Sequence, residues 1–493
     1  MPKIKLAIVG AGFGGLAMAV ALKKEGINDF VILEKGSDVG GVWRDNSYPG
    51  CSCDVPSHLY SFSFAPYERR DNRYPPQQDI LAYLRQVAAD FQLTPHLRLN
   101  TAVSQATFWE ERKRWDVVTE SGEGFDVEFV VFAVGQLHRP HFADIPSRED
   151  FQGKVLHPAV WDHGVNLQGK RIAIVGTGSS AAQMLPGLAA VAQTVTVYQR
   201  SPAWVLPKPS SKFGPLSRCV LRVPGVHHAY RKLLYYGGDI LLSPAVRSRL
   251  LARILECVGR HHMRRQVQDA AVRRGLSPSY PIGTKRILFD SHFYPALTRP
   301  NVRLVTEPIT RITPTGIETT VTTNAEGDRE HSQIDVIVFA TGFKASEFLV
   351  PMSVRGRNNH SLNEDWAAGA EAFMGLAVRG YPNAFLIAGP NTFNQAGSNP
   401  GMKEVQVGYI VRCLRWKAEI RADAIEVSEK AMARYREWLG ERMRRTVWEH
   451  ESSKGENSWY RHESGRVTNP WPASARRFAR MLRGCPGDSF EVL

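Results

Sequence analysis

Short apolar runs, each interrupted by a glycine-rich turn, recur along the chain. Residues 4–9 predict a strand buried on both faces, and the glycines of residues 10–15 interrupt this strand. Residues 16–24 predict a helix, and residues 30–34 form a second apolar strand that ends on an acid. This order predicts a βαβ unit. The same order recurs at residues 171–198, so the sequence contains two such units.

The pattern changes at residues 206–284, which are rich in arginine, leucine and histidine and predict a helical insert. Residues 302–341 return to β character, with a buried strand at 335–340, and residues 402–445 predict two helices. A final basic helix is predicted near residues 473–483. In the insert, residues 245–258 follow helical periodicity and form one apolar stripe of Val246, Leu250, Leu251, Ile254, Leu255 and Val258.

Composition supports an ordinary globular protein and excludes a disordered chain, because 43% of the 493 residues are hydrophobic and 22% are charged. The net charge of +14 raises nucleic acid or an anionic membrane as partners. Residues 211–274 hold 13 lysines and arginines against three acids, so most of this charge lies in the insert. Because no nucleic-acid-reading motif accompanies it, we expect no nucleic-acid partner. A solvated helical face and weak docking on an anionic membrane are both compatible with this segment.

Six scattered cysteines without zinc-finger spacing predict a reducing, cytoplasmic location and no metal site. The uncharged residues 6–22 follow two lysines and resemble a signal peptide, but their closely spaced glycines suit a tight turn better. No other stretch reaches 18 apolar residues, so no membrane span is expected.

The first glycine-rich turn has the spacing of a dinucleotide-binding loop. Gly10 permits the turn, Gly12 lets a diphosphate approach the backbone, and Gly15 lets the helix pack closely on the strand. The N-terminus of the helix predicted at residues 16–24 would bind the diphosphate, and Phe13 of the glycine loop is a further expected cofactor contact. Glu34 ends the second strand, where a carboxylate accepts a hydrogen bond from a ribose 2′-hydroxyl.

The second glycine-rich turn predicts NADPH rather than NADH. Arg200 and Ser201 stand at the end of its second strand in place of an acid, and an arginine there suits a 2′-phosphate. Two dinucleotides in one chain, one of them NADPH, imply a flavoprotein with FAD in the first unit. The second loop consists of Gly176, Thr177, Gly178, Ser179, Ser180 and Ala181.

We therefore expect an α/β fold with two Rossmann-like dinucleotide-binding domains and a helical insert. The FAD-binding domain is predicted at residues 1–150 and 345–493, and the NADP-binding domain at residues 151–205 and 285–344. The insert would occupy residues 206–284.

Two longer motifs carry a family resemblance. Residues 40–54, GGVWRDNSYPGCSCD, resemble a signature of class B flavoprotein monooxygenases. Residues 151–162 are similar to the fingerprint F-x-G-x-x-x-H-x-x-x-W-(P/D) of type I Baeyer–Villiger monooxygenases, and its positions are filled by Phe151, Gly153, His157, Trp161 and Asp162. The resemblance extends almost end to end and includes Ala133–Gly135, Ala340–Gly342 and residues 283–286.

The resemblance implies a reaction and roles for individual residues. NADPH would reduce FAD, a C4a-peroxyflavin would form with O2, and oxygen would be inserted next to the carbonyl of a ketone to give an ester or lactone. Arg286 would be the catalytic cation, with Asp54 as its partner. An arginine suits this role because it cannot supply an unwanted proton. The remaining cofactor contacts implied are Val42, Trp43, Tyr60 and Val103 for FAD, and Lys285 and Trp459 for NADP.

Several alternatives stay open at this point. Asp54 alone could be a loop cap, and Lys285–Arg286 a solvated charge pair. His157 suits a hinge or packing role better than general-base chemistry. Phe393 and Asn394 are candidates for a substrate-facing loop. Cys51 and Cys53 could form a redox dithiol, but C-x-C spacing beside a Pro-Gly pair disfavours a disulfide.

Alternatives also exist for the whole protein. The first is a flavin monooxygenase that oxygenates nitrogen or sulfur. The others are a flavin reductase or oxidase without productive oxygenation, and a non-catalytic nucleotide-binding or redox-sensing protein.

Overall fold

The fold is taken from a computed structural model of the 493-residue chain. The structure describes all residues except 68–70, 224, 321–328, 396, 451–452 and 454–457. Its regular elements are mixed helices and strands that alternate in the order expected of an α/β protein.

The strands are β1 Lys3–Val9, β2 Phe30–Leu33, β3 Leu97–Arg98, β4 Val103–Trp109, β5 Arg114–Thr119, β6 Gly124–Phe132, β7 Lys154–Leu156, β8 Arg171–Val175, β9 Thr194–Tyr198, β10 Val205–Leu206, β11 Leu288–Phe289, β12 Val302–Val305, β13 Ile309–Thr313, β14 Gly316–Thr320, β15 Arg329–Gln333, β16 Val336–Phe339, β17 Ser353–Arg355, β18 Ala384–Leu386, β19 Ile425–Val427 and β20 Phe490–Val492. The helices are α1 Phe13–Lys24, α2 Val42–Asp45, α3 Gln77–Asp90, α4 Ser179–Val191, α5 Pro215–Val220, α6 Val226–Gly237, α7 Arg249–Gln266, α8 Ala270–Gly275, α9 Phe293–Leu297, α10 Leu362–Asp365, α11 Asn399–Glu419, α12 Glu429–Met443 and α13 Ala475–Met481.

The larger sheet is built around the first βαβ unit. Its order is β17-β4-β5-β6-β1-β2-β3, with β18 also paired to β6. β1 lies between β2 and β6 and is parallel to both. The apolar run of β1 is continuous because the sheet is covered on both faces, and α1 and α11 belong to the core on one of them. The predicted first βαβ unit is confirmed as β1–α1–β2.

The second sheet is entirely parallel and has the order β12-β9-β8-β16-β7. Helix α4 follows β8 directly, and its apolar side chains pack on this sheet together with those of α9. The predicted second βαβ unit is therefore present as β8–α4–β9. All strands of the larger sheet lie within residues 1–150 or 345–493, and all strands of the second lie within residues 151–205 or 285–344.

The predicted insert is helical, but only part of its apolar stripe packs on a core, which Val246 and Leu255 contact. The helix begins at Arg249 rather than at residue 245, because Ser243–Val246 forms a 3-10 turn. Val246 is buried, whereas Leu250, Ile254 and Val258 are 70%, 50% and 40% exposed. Periodicity thus identified the helix but not the surroundings of its apolar face.

The C-terminal helices agree with the sequence pattern. Residues 402–445 contain most of α11 and all of α12, and the final basic helix is α13. The carboxylate of Asp239 accepts a hydrogen bond from the backbone N–H of Ala475 at 2.6 Å, which ties α13 to the insert. No helix in the described part of the chain is long and apolar enough to cross a membrane.

Candidate active site

A cavity of about 510 Å³ opens at the carboxyl ends of β1, β2 and β6. Ligands of open α/β sheets bind at this edge. The predicted site residues that line this cavity are Gly10, Gly12, Phe13, Glu34, Val42, Trp43, Asp54, Tyr60, Val103, Ser179, Ser180, Arg286 and Trp459. Those that do not line it are Gly15, Gly176, Thr177, Gly178, Ala181, Arg200, Ser201 and Lys285.

The first glycine loop has room for a diphosphate. Gly10 has φ +102°, and a Cβ there would lie 2.8 Å from the carbonyl oxygen of Ala133. A Cβ on Gly15 would lie 1.8 Å from the carbonyl oxygen of Gly10, so only glycine lets α1 pack this closely. A Cβ on Gly12 would meet nothing nearer than the Cα of Gly41 at 3.8 Å. The backbone at the N-terminus of α1 is therefore open to the cavity at Gly12, as diphosphate binding requires.

Glu34 lines the cavity and also holds the loop together. Its carboxylate accepts hydrogen bonds from the backbone N–H groups of Ala11 at 2.7 Å and Gly36 at 2.8 Å. It also forms an ion pair with Arg44 at 2.8 Å. Sequence reasoning did not single out Arg44, although the position lies within the motif of residues 40–54. The carboxylate thus organises the backbone on which a ribose would rest.

Aromatic side chains form one wall of the cavity. The indole Nε1–H of Trp43 donates to the hydroxyl of Tyr60 at 3.2 Å, and the ring of Tyr60 lies 5.2 Å from that of Phe13. Burial raises the pKa of the Tyr60 hydroxyl, so this group stays protonated. The open glycine loop, the carboxylate of Glu34 and this aromatic wall together fit FAD.

Arg286 and Asp54 form an ion pair at the edge of the cavity, in which one guanidinium nitrogen contacts both carboxylate oxygens. Nη2 of Arg286 lies 2.7 Å from Oδ1 and 2.8 Å from Oδ2 of Asp54. The Asp54 side chain is 10% exposed and that of Arg286 is 33% exposed. The charge of Asp54 raises the pKa of Arg286 despite the opposing effect of burial. The guanidinium is therefore a permanent cation anchored by Asp54, and it is not a freely solvated charge.

The second glycine loop repeats the geometry of the first. Gly176 has φ +108°, and a Cβ there would lie 2.6 Å from the carbonyl oxygen of Ala340. A Cβ on Gly178 would meet nothing within 4 Å. Ala133 and Ala340 begin the two Ala-x-Gly segments that the family resemblance includes. Each segment therefore closes against the glycine loop of its own domain.

The residues expected around a 2′-phosphate lie together beside this second loop. Nζ of Lys285 donates to Oγ of Ser201 at 2.6 Å, and the hydroxyl of Thr177 donates to the carbonyl oxygen of Ser201 at 3.3 Å. Arg200 is adjacent and exposed. Ser179 and Ser180, at the start of α4, reach the cavity wall. Cationic and hydroxyl donors beside an open glycine loop fit NADPH.

Gln183 joins the two nucleotide domains. Its Oε1 accepts from the hydroxyl of Tyr48 at 2.8 Å, and its Nε2 donates to the carbonyl oxygen of Ser52 at 2.9 Å. Gly50 has φ +82°, and a Cβ there would lie 2.3 Å from the backbone oxygen of Gln183. Helix α4 thereby fixes the loop that presents Asp54. Sequence reasoning missed Gln183, because a glutamine within a helix carries no distinctive signal.

His157 has a structural environment. Its Nδ1 accepts from the backbone N–H of Ala159 at 3.1 Å, so Nε2 carries the proton and donates to the carbonyl oxygen of Gly342 at 3.1 Å. Burial lowers its pKa to about 4. The neutral imidazole joins the fingerprint segment to the end of the second sheet and does not line the cavity.

The cysteines do not form a redox pair. Cys51 and Cys53 are free thiols, and burial raises the pKa of Cys51 to about 12 and raises that of Cys53 further. Both stay protonated and unreactive at neutral pH. The dithiol interpretation is therefore wrong. Within the residues that the structure describes, no group of His, Cys, Asp and Glu could hold a metal ion.

The two substrate-loop candidates have different positions. Phe393 lines the cavity, with its ring 5.9 Å from Cζ of Arg286 and 4.9 Å from the ring of Trp459. Asn394 is buried, and its backbone N–H donates to the side chain of Asn399 at 3.0 Å. Asn394 is not among the cavity-lining residues. Phe393 and Trp459 thus form an apolar wall beside the arginine.

The two Rossmann-like domains have glycine loops of the same geometry, and residues of both line the cavity that holds the arginine at its edge. This arrangement defines a two-dinucleotide flavoprotein oxidoreductase. Residues 7–222 match the family model of pyridine nucleotide-disulphide oxidoreductases. The chain is 38% identical to a Baeyer–Villiger monooxygenase of Streptomyces coelicolor, over 99% of this chain and 93% of that protein. It is 36% identical to one of Pseudomonas aeruginosa, over 99% and 91%. The chain belongs to the Baeyer–Villiger monooxygenases.

Solved structures agree. A steroid monooxygenase bound to NADP superposes with a TM-score of 0.86 at 29% identity, covering 100% of this chain and 99% of that one. The closed form of a cyclohexanone monooxygenase superposes with a TM-score of 0.88 at 25% identity, with the same coverage. The predicted fold class and family are confirmed. The protein is an FAD-containing, NADPH-dependent monooxygenase of Baeyer–Villiger type.

Proposed function

We propose that this enzyme inserts one oxygen atom next to the carbonyl of a small, apolar ketone, with Arg286 as the catalytic residue and Asp54 as its positioning residue. The ketone, O2, NADPH and a proton become an ester or lactone, NADP⁺ and water. FAD, when bound and reduced by NADPH, would activate O2 for this transfer. The ion pair between Arg286 and Asp54 at the cavity edge carries this proposal.

Arg286 suits oxygen transfer because its charge is permanent. Negative charge develops on oxygen during the attack on a carbonyl, and a preorganised cation in a partly buried site stabilises it. A raised pKa means that Arg286 cannot act as an acid and protonate the nucleophile. Both oxygens of Asp54 contact Nη2 of Arg286, which holds that end of the guanidinium beside the carboxylate. We assign Lys285, Ser201 and Arg200 to the 2′-phosphate of NADPH.

The apolar wall supports a ketone as substrate. Phe393 lies next to Arg286, and Trp459 packs on Phe393, so the two rings offer aromatic surface to an alkyl or ring substituent. Solved relatives include a cyclohexanone monooxygenase bound to cyclohexanone and one bound to ε-caprolactone. We therefore place small cyclic and linear ketones ahead of amines and sulfides.

Arg286→Ala and Arg286→Lys test the assignment. We expect Arg286→Ala to abolish ester formation while NADPH still bleaches the flavin anaerobically, and Arg286→Lys to recover only part of the product. Ester is measured by gas chromatography over ketones of graded size, with sulfides as the competing class. Unchanged ester yield in Arg286→Ala would contradict the role of Arg286. Faster turnover of sulfides than of every ketone in the native enzyme would favour the heteroatom-oxygenating alternative.

We further propose a cytoplasmic location and a domain division at the predicted boundaries. Six free cysteines, three of them exposed, support a reducing compartment. The segregation of the two strand sets supports FAD-binding segments 1–150 and 345–493 and NADP-binding segments 151–205 and 285–344. Disulfide formation in the native host would argue against this location.

We also propose that the helical insert docks weakly on an anionic membrane surface. On α7, Leu250, Ile254 and Val258 repeat every fourth residue and are exposed, so they form an apolar stripe on the outside of the protein. Arg253 and Arg260 are exposed on the same helix. An apolar stripe flanked by cations is typical of helices that lie in a lipid interface. This exposure favours docking over a solvated face.

Sedimentation with vesicles of phosphatidylserine and phosphatidylcholine at low salt tests the docking. We expect binding that weakens with salt and is lost in the double variant Leu250→Ser/Ile254→Ser, whereas Val492→Ser, an exposed apolar control on β20, should bind normally. No sedimentation of the native enzyme would refute docking. If the native enzyme is oligomeric and does not bind vesicles, and the double variant is monomeric, the stripe is instead a contact between copies of the chain.

A further inference from the structure

Lys403 is a lysine of the cavity wall that the reaction described above does not use. It lies near the N-terminus of α11, is partly buried and lines the same cavity as the glycine loop and Arg286. Its Nζ has a long hydrogen bond of 3.5 Å to the carbonyl oxygen of Asn399, one turn earlier in the helix. Among the described residues, no carboxylate lies within 4 Å of this nitrogen.

The other buried lysine of the same helix shows what such a side chain requires. Lys417 is 8% exposed, and its Nζ lies 2.5 Å from Oε1 of Glu128. A buried ammonium without an acid loses hydration that nothing replaces. Burial accordingly lowers the pKa of Lys403 to about 8. A cation near a helix N-terminus is also opposed by the helix dipole. An anion in the cavity would relieve both costs.

We propose that Lys403 supplies positive charge to bound FAD and pairs with an anionic group of that cofactor. This inference rests on the FAD site and deepens it. Two parts of FAD have suitable chemistry, namely the diphosphate and the reduced ring system. Lys403, the N-terminus of α11 and the N-terminus of α1 would together make this region of the cavity attractive to negative charge.

The test compares Lys403→Met with native holoenzyme, with Lys403→Gln as the second variant and exposed Lys430→Met as control. FAD affinity is measured by reconstitution at several salt concentrations, and the midpoint potential of the bound flavin by dye-coupled reduction. Neither measurement depends on turnover, so this test is independent of the role of Arg286. Melting temperatures check that each variant is folded.

The two sources of negative charge predict different results. If Lys403 pairs with the diphosphate, oxidised FAD should bind about ten-fold more weakly, with a smaller salt dependence and an unchanged potential. If it pairs with the reduced ring, only reduced FAD should bind about ten-fold more weakly, which lowers the potential by about 30 mV. FAD affinity and potential that both match those of the control would overturn the proposal.

Discussion

Replacing Asp54 with asparagine should separate NADPH consumption from product formation. The substitution keeps the size of the side chain but removes the charge and one of the two acceptor oxygens that hold Arg286. The guanidinium then has freedom to rotate away from the cavity. Flavin reduction needs only the bound nicotinamide, so it should continue. Oxygen transfer to the ketone needs the oriented cation, so a larger share of NADPH oxidation should end without ester than in the native enzyme.

The size of the effect follows from the geometry of the pair. One guanidinium nitrogen, Nη2, makes a charge-assisted bond that is shared between the two oxygens of Asp54, at 2.7 and 2.8 Å. Such a bond contributes about 1.5–3 kcal/mol to stability. Because Arg286 is 33% exposed, water replaces part of the loss, and the low end of that range is appropriate. About 1.5 kcal/mol corresponds to roughly a ten-fold change in the population of the oriented arginine.

The assay measures three quantities in the same reaction, namely NADPH oxidised, ester formed and hydrogen peroxide released. We expect the ester formed per NADPH to fall about ten-fold in Asp54→Asn, with peroxide making up the difference. The control is Glu330→Gln, which removes the charge of a carboxylate paired with Arg303 on the exposed surface of the NADP-binding domain. Ester per NADPH within two-fold of native in Asp54→Asn would refute the positioning role.

Three other predictions address the second nucleotide site, the first glycine loop and pH. Lys285→Ala should raise the KM for NADPH at least ten-fold with little effect on the KM for NADH, because a charge-assisted contact contributes about 1.5–3 kcal/mol. Equal increases in the KM for NADPH and for NADH would contradict a contact with the 2′-phosphate. Gly15→Ala should yield little FAD-loaded protein, because its Cβ would lie 1.8 Å from a carbonyl oxygen. The control Gly440→Ala, whose Cβ would meet nothing within 4 Å, should have a melting temperature no lower than that of the native enzyme. FAD content and melting curves measure both outcomes. The folded state keeps His157 neutral with a pKa of about 4 rather than 6.5, so the unfolded chain binds the extra proton and stability should fall as pH drops from 6.5 towards 4. That loss of unfolding free energy is on the order of 3 kcal/mol at most. Urea unfolding at pH 7 and 5 should show that the unfolding free energy of His157→Gln depends less on pH than that of the native enzyme. The same pH dependence in both proteins would contradict the assignment.

The nucleotide loops were predictable because each glycine answers a local requirement. Gly10 and Gly176 need positive φ beside a carbonyl, and Gly15 needs the absence of a Cβ. Such requirements are written into a few consecutive residues. The βαβ units, the class of cofactor and the helices of the C-terminal region follow from patterns of the same short range.

The ion pair was predictable only through the resemblance to a family. Asp54 and Arg286 are separated by 232 positions, and neither periodicity nor spacing brings them together. Gln183 and Lys403 were not predicted at all. Each is an ordinary helix residue, and its role depends on which face of the helix meets the loop or the cavity. That information arises from tertiary packing.

The insert shows the same limit for apolar patterns. Its stripe has the period of a helix, and the helix is present as α7. Periodicity states which side chains share a face but not what covers that face. The sequence pattern therefore did not distinguish Leu250 and Ile254 from core residues, although both are exposed in the structure.

The interleaved order of the two sheets also affects how the protein is made. The last three residues of β6, Val130–Phe132, pair with β18, which lies roughly 250 residues later in the chain. At typical rates of translation, a ribosome needs roughly 10–50 s to synthesise that stretch. During this interval an apolar strand edge emerges without its final partner, while the complete second sheet is translated. We expect the yield of folded protein to depend on how well this edge is protected, by chaperones or by transient pairing, until β18 has been synthesised.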